Sequence, residues 1–337
     1  MRCMLAGVVA MILAACQPVA QNSQFRPSTN IQADTRPAIR ACADASHADD
    51  QTKTIALCSE ALNAGGLSDL DRAALYVARG KAYGSDGNKS QALADLTEAI
   101  RLNPGDASAY TDRASVHVNA HENKEGLADA EKAIAMKPDL ALAYVERAMA
   151  RDGLGADPAS VITDQNKAID LDPTLALAYN NRAAIYARIG QSDRAKSDLA
   201  KAIELDPKLA TPYQNRGLLS FYDGDNDGAI ADFNHAIALA PKRAGPYAYR
   251  ARAYEAKTDT KRALADVTDA IRLNPANPTY YALRAEIHFK AGDRAAANSD
   301  CAEAIGHDQT HSLFVPPSTY LPSILCFADG PHPVAPD

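Results

Sequence analysis

A phrase that recurs at a fixed interval is the feature that most constrains the fold of this chain. Residues 92–104 read ALADLTEAIRLNP and residues 263–275 read ALADVTDAIRLNP, with two changes in thirteen positions. Related phrases begin at Gly126, Val161, Ala195, Ala229 and Ala297. Successive phrases start 34 residues apart, except for a 35-residue step into Val161. A period of this length predicts stacked structural units, each of which buries its apolar face against its neighbours.

Each unit contains two blocks in which apolar residues recur at helical spacing. In the fourth unit, Tyr179, Ala183 and Tyr186 fall at i, i+4 and i+7, and a second block follows Gly190 and ends before Pro207. Proline ends a helix because it cannot donate the next backbone hydrogen bond. The pattern therefore predicts a series of helical hairpins.

The units resemble the tetratricopeptide repeat, which has an aromatic residue at position 4, a small residue at position 8 and proline at position 32. When each unit is numbered from residue 73, position 4 holds Tyr76, Tyr110, Tyr144, Tyr179, Tyr213, Tyr247 and Tyr281. The resemblance covers residues 73–308 as seven repeats and implies an all-α fold, a right-handed superhelical solenoid. We expect the extra residue of the third repeat, within 152–158, to lengthen the turn between its helices.

Position 7 departs from the family pattern, because arginine stands there in every unit where leucine is usual. The second helix of each unit carries aspartate at the matching level. We expect a ladder of Arg–Asp ion pairs, within or between units, that includes Arg182 with Asp198 and Arg216 with Asp232. The alternative is a set of solvated pairs that contribute about 0–1 kcal/mol each.

The first residues have the composition of an export signal. One arginine precedes an apolar stretch from Met4 to Ala15, which is too short to span a bilayer. The stretch ends in LAAC at 13–16 and resembles the lipobox of bacterial lipoproteins. That resemblance implies a signal peptide over 1–15, lipidation of Cys16 and, since residue 17 is not aspartate, an outer-membrane lipoprotein that faces the periplasm. The alternative is an ordinary secretory signal.

Two further segments flank the repeats. Residues 16–36 are polar and lack a helical period, so they predict a lipidated, flexible tether. Residues 37–68 fit a degenerate N-terminal capping repeat. Residues 309–337 contain six prolines together with many apolar residues, so we expect an irregular C-terminal cap over the last repeat.

Four cysteines lie beyond the signal and the lipidation site. An even number in an exported protein suggests two disulfides. In the repeat frame, Cys42 and Cys58 occupy positions 8 and 24, which pack together across a hairpin, so we expect them to be joined. We expect Cys301 and Cys326 to pin the C-terminal cap. The alternative is that these cysteines are reduced and buried.

In the tetratricopeptide family, positions 2, 5, 6, 9, 12 and 13 of the first helix point into a concave groove. Carried onto this chain, they predict an acidic zone, an amide zone and a zone of exposed aromatic rings. The acidic zone consists of Asp112, Glu146 and Asp152. The amide zone consists of Asn180, Asn181, Gln214 and Asn215, and the aromatic zone consists of Phe221, Tyr222, Tyr249 and Phe289. The resemblance implies a groove that binds a protein segment with a basic residue near the acidic zone and an apolar one near the rings. The chaperone-type carboxylate clamp is not reproduced. Alternatively, the groove binds no partner and is only solvated, or the chain's own tether or C-terminal tail fills it.

Other functional classes find little support in the sequence. The net charge is −7 and no basic run occurs, which argues against a nucleic-acid partner. There is no G-x-S-x-G, HExxH, P-loop or C-x-x-C pattern. The pairs His117/His121 and His307/His311 have metal-ligand spacing, but the first pair fits a core and a turn position of repeat two better. We expect no enzyme activity, no cofactor and no metal.

The favoured function is a lipid-anchored, periplasm-facing scaffold or adaptor that binds a protein or peptide partner of the cell envelope in its groove. One alternative is a structural subunit of a fixed envelope complex that binds by its convex face or its cap. The other is a protein that binds a small ligand or a metal.

Overall fold

The computed structural model of the protein describes residues 37–48, 50–64, 66–307, 324–327 and 330–333. The predicted signal peptide, the lipidation site Cys16 and the tether through residue 36 lie outside these residues, as does most of the predicted cap. The described chain divides into an N-terminal unit that ends at Ile185 and a C-terminal unit that begins at Tyr186.

The N-terminal unit is built from helical hairpins. Its helices are α1 Pro37–His47, α2 Gln51–Asn63, α3 Asp69–Ser85, α4 Lys89–Leu102, α5 Ala107–Asn119, α6 Asn123–Met136, α7 Ala141–Gly153, α8 Pro158–Leu171 and α9 Ala176–Arg188, whose last residues belong to the next unit. Each odd-numbered helix from α1 to α7 packs against the helix that follows it.

The C-terminal unit continues the same pattern. Its helices are α10 Ser192–Leu205, α11 Ala210–Tyr222, α12 Asn226–Leu239, α13 Ala244–Ala256, α14 Thr260–Leu273, α15 Pro278–Lys290 and α16 Arg294–His307. The pairs α11–α12, α13–α14 and α15–α16 form hairpins. The predicted fold class, an all-α solenoid of helical hairpins, is confirmed.

Aspartate and asparagine side chains start several of the second helices. The Asp225 carboxylate accepts a hydrogen bond from the backbone N–H of Gly228, and Asp259 accepts one from Arg262. Such caps satisfy amide groups that have no partner inside the helix. In these two hairpins the cap is the last residue of a three-residue turn, so it fixes where the second helix begins.

Positions 8 and 24 meet across the hairpin in the first hairpin and in the first and fifth repeats. Gly217 faces the fully buried Phe233, and a Cβ on this glycine would lie 2.8 Å from the Phe233 ring. Glycine therefore leaves room for the largest side chain used at position 24. In the first hairpin the same two positions hold Cys42 and Cys58, whose Cα atoms are 4.8 Å apart and whose side chains form a disulfide. The predicted Cys42–Cys58 bridge is confirmed.

The extra residue of the third repeat lies in the turn between α7 and α8. This turn has four residues, 154–157, whereas the turns at 120–122 and 223–225 have three. Gly155 adopts a φ of 77° there, a conformation that glycine reaches without strain. The predicted longer turn is confirmed, and α9, α11 and α13 again begin at position 1 of their repeats.

The position-7 arginines form the predicted ladder. In the fifth repeat, Arg216 Nε donates to Asp232 Oδ2 at 2.8 Å and Arg216 Nη2 donates to Asp232 Oδ1 at 2.7 Å. The same two-point pairing joins Arg79 to Asp95, Arg113 to Asp129, Arg147 to Asp164, Arg250 to Asp266 and Arg284 to Asp300. Arg182 and Asp198 belong to different units, so their pairing stays a prediction.

The ladder also links neighbouring repeats. Arg250 Nη1 donates to Asn234 Oδ1 at 2.5 Å, and Asn234 lies at position 25 of the preceding repeat. The Arg250 guanidinium also lies 5.7 Å from the centre of the Tyr247 ring. Since the arginines are only partly exposed and held at several points, these pairs are better ordered than isolated surface ion pairs.

Eight residues of the predicted C-terminal cap have regular structure. Strands β1 Ile324–Phe327 and β2 Gly330–Pro333 form an antiparallel ribbon that lies against α15 and α16. The expectation of an irregular cap is wrong for these residues, because a two-stranded edge ribbon tolerates proline where no ladder hydrogen bond is needed. Cys301 is disulfide-bonded, but its partner lies outside the residues whose side chains are described, so Cys301–Cys326 stays a prediction.

Within the described residues, no helix has the length and apolar composition needed to cross a bilayer.

Candidate functional site

The first helices of successive hairpins form a layer in each unit. They contact one another in the pairs α3–α5, α5–α7, α11–α13 and α13–α15, and the second helices contact the first helices on either side of them. We call the outer surface of this layer the first-helix face. The residues predicted to lie on this face are Asp112, Glu146, Asp152, Asn180 and Asn181 in the N-terminal unit, and Gln214, Asn215, Phe221, Tyr222, Tyr249 and Phe289 in the C-terminal unit.

The acidic zone of the N-terminal unit is largely buried. Asp112 is 5% exposed and Glu146 is 2% exposed. Burial raises the pKa of Asp112 to about 6, although Lys81 Nζ lies 3.8 Å from its Oδ2 and opposes the rise. Burial likewise raises the pKa of Glu146 to about 8, against a hydrogen bond with Ser115, and the Asp112 charge adds to the rise. Glu146 is therefore mainly uncharged at neutral pH.

The expectation of an acidic surface for a basic ligand residue is wrong at Asp112 and Glu146. Position 6 of one repeat faces position 9 of the repeat before it, since neighbouring first helices lie side by side. Lys81 faces Asp112 and Ser115 faces Glu146 in this way. Asp152, at position 12, is only half-buried.

The amide zone is divided between the two units and is mostly buried. Asn180, Gln214 and Asn215 are buried, and only Asn181 is half-buried. Asn181 Nδ2 lies 3.2 Å from the sulfur of Met149, which is again a contact between position 6 and position 9. Asn180, Gln214 and Asn215 therefore expose little surface to a ligand backbone, contrary to the expectation for the amide zone.

The aromatic residues lie in two separate clusters of the C-terminal unit. Phe221, Tyr222 and Tyr249 pack against a core that contains Leu218 and Phe233. Phe221 and Tyr222 are half-buried and meet edge to face, with ring centres 5.8 Å apart. Tyr249 is only 8% exposed, so the expectation of an exposed ring is wrong there.

The half-buried ring of Phe289 belongs to a different cluster, which contains Tyr281, Ala282 and Cys301. The guanidinium of Arg294 lies 5.9 Å from the centre of this ring. Phe221 and Tyr222 therefore form one partly exposed apolar patch, and Phe289 stands apart from it.

A charged network links α13 and α15 on the same face. Arg252 Nη1 lies 2.6 Å from Glu286 Oε2, and Lys290 Nζ lies 2.8 Å from Glu286 Oε1 and 2.6 Å from Glu255 Oε1. The sequence prediction did not include these residues. The sequence did contain a sign of this network, because Arg252 and Glu286 occupy position 9 of adjacent repeats and have opposite charges.

Arg243 was also missed by the sequence prediction. It immediately precedes α13, it is half-buried, and its Nη1 donates to Thr211 Oγ1 at 3.1 Å. Burial lowers the pKa of Arg243, and the groups that oppose this effect are the phenols of Tyr249 and Tyr280. Within the described residues, no carboxylate lies within ion-pair distance of its guanidinium. The available signal was arginine at position 34, where the three preceding repeats hold leucine.

The histidines do not gather with other metal ligands. His117 Nδ1 lies 2.9 Å from Glu122 Oε2, and His121 has a φ of 60° in the turn after α5. His307 stacks on Tyr281 with ring centres 5.2 Å apart, and His311 lies outside the described residues. Among residues that the structure describes, no group of three potential ligands is placed to hold a metal ion.

Family models described as tetratricopeptide repeats match residues 73–106, 165–197 and 210–243. No curated protein sequence matches the chain. The predicted tetratricopeptide repeats are thus confirmed at the level of the repeat.

Solved structures are similar in fold at low sequence identity. The APC/C hetero-tetramer Cut9–Hcn1 aligns with a TM-score of 0.67 at 16% identity over 81% of this chain and 53% of that chain, so the chain spans about half of its length. Yeast Tom70 aligns with a TM-score of 0.56 at 17% identity, over 90% of this chain and 66% of that one. A tetratricopeptide repeat protein from Parabacteroides merdae aligns with a TM-score of 0.51 at 19% identity, over 72% of this chain and 95% of that one.

Proposed function

Because the chain carries tetratricopeptide repeats, we propose that it is a scaffold that binds a segment of another cell-envelope protein on its first-helix face and is anchored by lipid at Cys16. The lipobox-like sequence LAAC at 13–16 and the polar stretch that follows it support the anchor and the tether. The residue after the lipidation site supports a location at the outer membrane, facing the periplasm.

The observation that carries the binding proposal is the patch formed by Phe221 and Tyr222. The two rings stand at positions 12 and 13, at the end of α11, and both stay half-exposed while most other predicted groove residues are buried. Adjacent aromatic rings that remain partly open to solvent on a packed face are suited to hold an apolar side chain of a partner.

Partner recovery tests this role. The protein is solubilised with detergent from envelopes and purified by affinity, either as wild type or with Phe221→Ser and Tyr222→Ser together. We expect the double variant to lose most of the co-purified partner while its helix content stays the same. Ile305→Ser is the matched control, since Ile305 is an apolar residue on the second helix α16 and is 40% exposed. If the double variant and the control recover the same amount of partner, the binding surface lies elsewhere.

The anchor is tested separately. Cys16→Ser removes the thiol that would carry the lipid, so the variant is expected to leave the membrane fraction and to lose the mass of the acyl chains. If the variant sediments with membranes as the wild type does, lipid at Cys16 is not what holds the protein there.

A further inference from the structure

Arg243 occupies a position that neighbouring repeats use for packing. Position 34 holds Leu175 in the third repeat and Leu209 in the fourth, and both leucines are buried. In the fifth repeat the same position places a guanidinium between α11 and α13. The backbone at this position is suited to an apolar side chain, so the charge needs an explanation.

Among the residues that the structure describes, the surroundings of Arg243 are polar and include no carboxylate paired with it. Thr211, whose hydroxyl accepts from Nη1, is buried at position 2 of α11. Tyr249 on α13 and Tyr280 on α15, the next two first helices, lie close enough for their phenols to interact electrostatically with the guanidinium. Burial raises the pKa of both phenols, so they stay neutral at physiological pH and do not balance the positive charge.

The contrast with other arginines of the same unit is direct. Arg216, Arg250 and Arg284 each meet an aspartate at two points, and Arg252 meets Glu286. A guanidinium presents several N–H donors in a rigid fork that matches a carboxylate. At Arg243 only the bond to Thr211 uses this fork within the described chain. A partly desolvated charge is costly unless it is paired.

We propose that Arg243, together with Thr211, Tyr249 and Tyr280, binds a carboxylate of the partner segment on the first-helix face of the C-terminal unit. The inference rests on the proposed function and adds the chemistry of the ligand. The fork of Arg243 receives the carboxylate, and the hydroxyl of Thr211 holds the guanidinium in place. The carboxylate belongs either to the C-terminus of the segment or to an acidic side chain.

The position of the apolar patch sets the spacing in the ligand. Thr211 is near the beginning of α11, and Phe221 lies ten positions further along the same helix. At a rise of about 1.5 Å per residue the two ends are about 15 Å apart. An extended peptide advances about 3.3 Å per residue. The matching segment therefore has an apolar side chain roughly four or five residues from its carboxylate.

Calorimetry with short peptides tests the site. The probe is an acetylated hexapeptide with phenylalanine first, serine and glycine after it, and a free C-terminal carboxylate. A second peptide has the same sequence with an amidated C-terminus, and a third is amidated but ends in aspartate. We expect the free acid to bind at least about tenfold more tightly than the first amide, because a charge-assisted hydrogen bond is lost with the carboxylate.

The substitution Arg243→Leu separates binding from folding. Leucine is buried at the same position in two other repeats, so the variant should unfold no earlier than the wild type in urea. We expect it to bind the acid and the amide with equal affinity, and we expect Arg243→Lys to keep only part of the preference, since an ammonium lacks the planar fork. If the aspartate-ended amide binds like the free acid, a side-chain carboxylate is sufficient; if it binds like the plain amide, the site requires a C-terminus.

Three results would overturn the inference: equal binding of acid and amide by the wild type, a preserved preference in Arg243→Leu, or no binding of any peptide at millimolar concentration. The envelope experiment distinguishes this failure from failure of the proposed function. If Arg243→Leu recovers the partner fully while the Phe221/Tyr222 variant loses it, only the carboxylate site is wrong. If both variants recover the partner fully, the proposed binding face is wrong.

Discussion

Glu146 gives the N-terminal unit a stability that depends on pH in an unusual direction. Its ordinary pKa of 4.5 is raised to about 8 by burial in the folded chain. Between these values the folded state keeps a proton that the unfolded state has released. The free energy of unfolding therefore falls as pH rises from about 4.5 to about 8, and it levels off at higher pH. The substitution Glu146→Gln removes this ionisation and keeps the size of the side chain.

The size of the effect follows from the difference between the two pKa values. Each pKa unit corresponds to about 1.4 kcal/mol, so Glu146 lowers stability by roughly 4 kcal/mol between pH 5 and pH 9. The glutamine variant avoids this loss and retains an oxygen that can accept a hydrogen bond from Ser115. We expect the two proteins to be nearly equal at pH 5 and the variant to be more stable by roughly 3–4 kcal/mol at pH 9.

Urea unfolding followed by circular dichroism at both pH values measures this difference. With a urea dependence of about 1–3 kcal/mol per molar, the variant should unfold at a midpoint higher by roughly 1–4 M at pH 9. Glu98→Gln is the matched control, because Glu98 lies on α4 with its side chain 32% exposed and a hydrogen bond from Arg101 lowers its pKa. If wild type and Glu146→Gln lose the same stability between pH 5 and pH 9, Glu146 ionises near its ordinary pKa and the reasoning from burial is refuted.

Two further outcomes are expected from the packing of the hairpins. Gly217→Ala places a methyl group 2.8 Å from the Phe233 ring, so it should lower the unfolding free energy by about 1–3 kcal/mol. Adding Phe233→Leu to this variant should recover part of the loss, because the smaller side chain leaves room for the methyl group. Urea unfolding measures both effects. A double-mutant cycle with Arg216→Leu and Asp232→Ala should give a coupling of about 1–3 kcal/mol, and additive effects would show that this pair is no better than a solvated one.

The periodic part of the sequence predicted the hairpins because each prediction needed only local information. The position-4 tyrosines and the prolines at the ends of second helices placed every hairpin from 73 onwards. The 35-residue step located the longer turn before Pro158. Cys42 and Cys58 could be paired because positions 8 and 24 pack together across a hairpin. In these cases the contact lies inside one repeat, so the repeat frame alone determines it.

The predicted groove failed where the contact lies between repeats. The frame assigned Asp112 and Glu146 to an open surface, but it does not contain the distance between neighbouring first helices. That distance decides whether position 6 reaches solvent or the residue at position 9 of the preceding repeat. Arg243 was missed for a related reason. Position 34 has no characteristic residue in the family, and only the three-dimensional structure shows that no carboxylate of the described chain pairs with this arginine.

The Arg–Asp ladder also has a consequence for how the length of such a chain can change. Several hairpins hold an arginine and an aspartate that pair with each other, and also an acceptor such as Thr97 or Asn234 for the arginine of the next hairpin. A hairpin of this kind can be inserted, removed or copied as a 34-residue block, because the new contact between neighbours uses the same donors and acceptors as the old one. An insertion whose length is not a multiple of 34 residues would disrupt these contacts between neighbours unless it falls in a turn. The extra residue of the third repeat, in the turn before Pro158, is such a case. The near-identical phrases at 92–104 and 263–275 belong to two such hairpins. The first hairpin has no position-7 arginine and carries the Cys42–Cys58 disulfide instead.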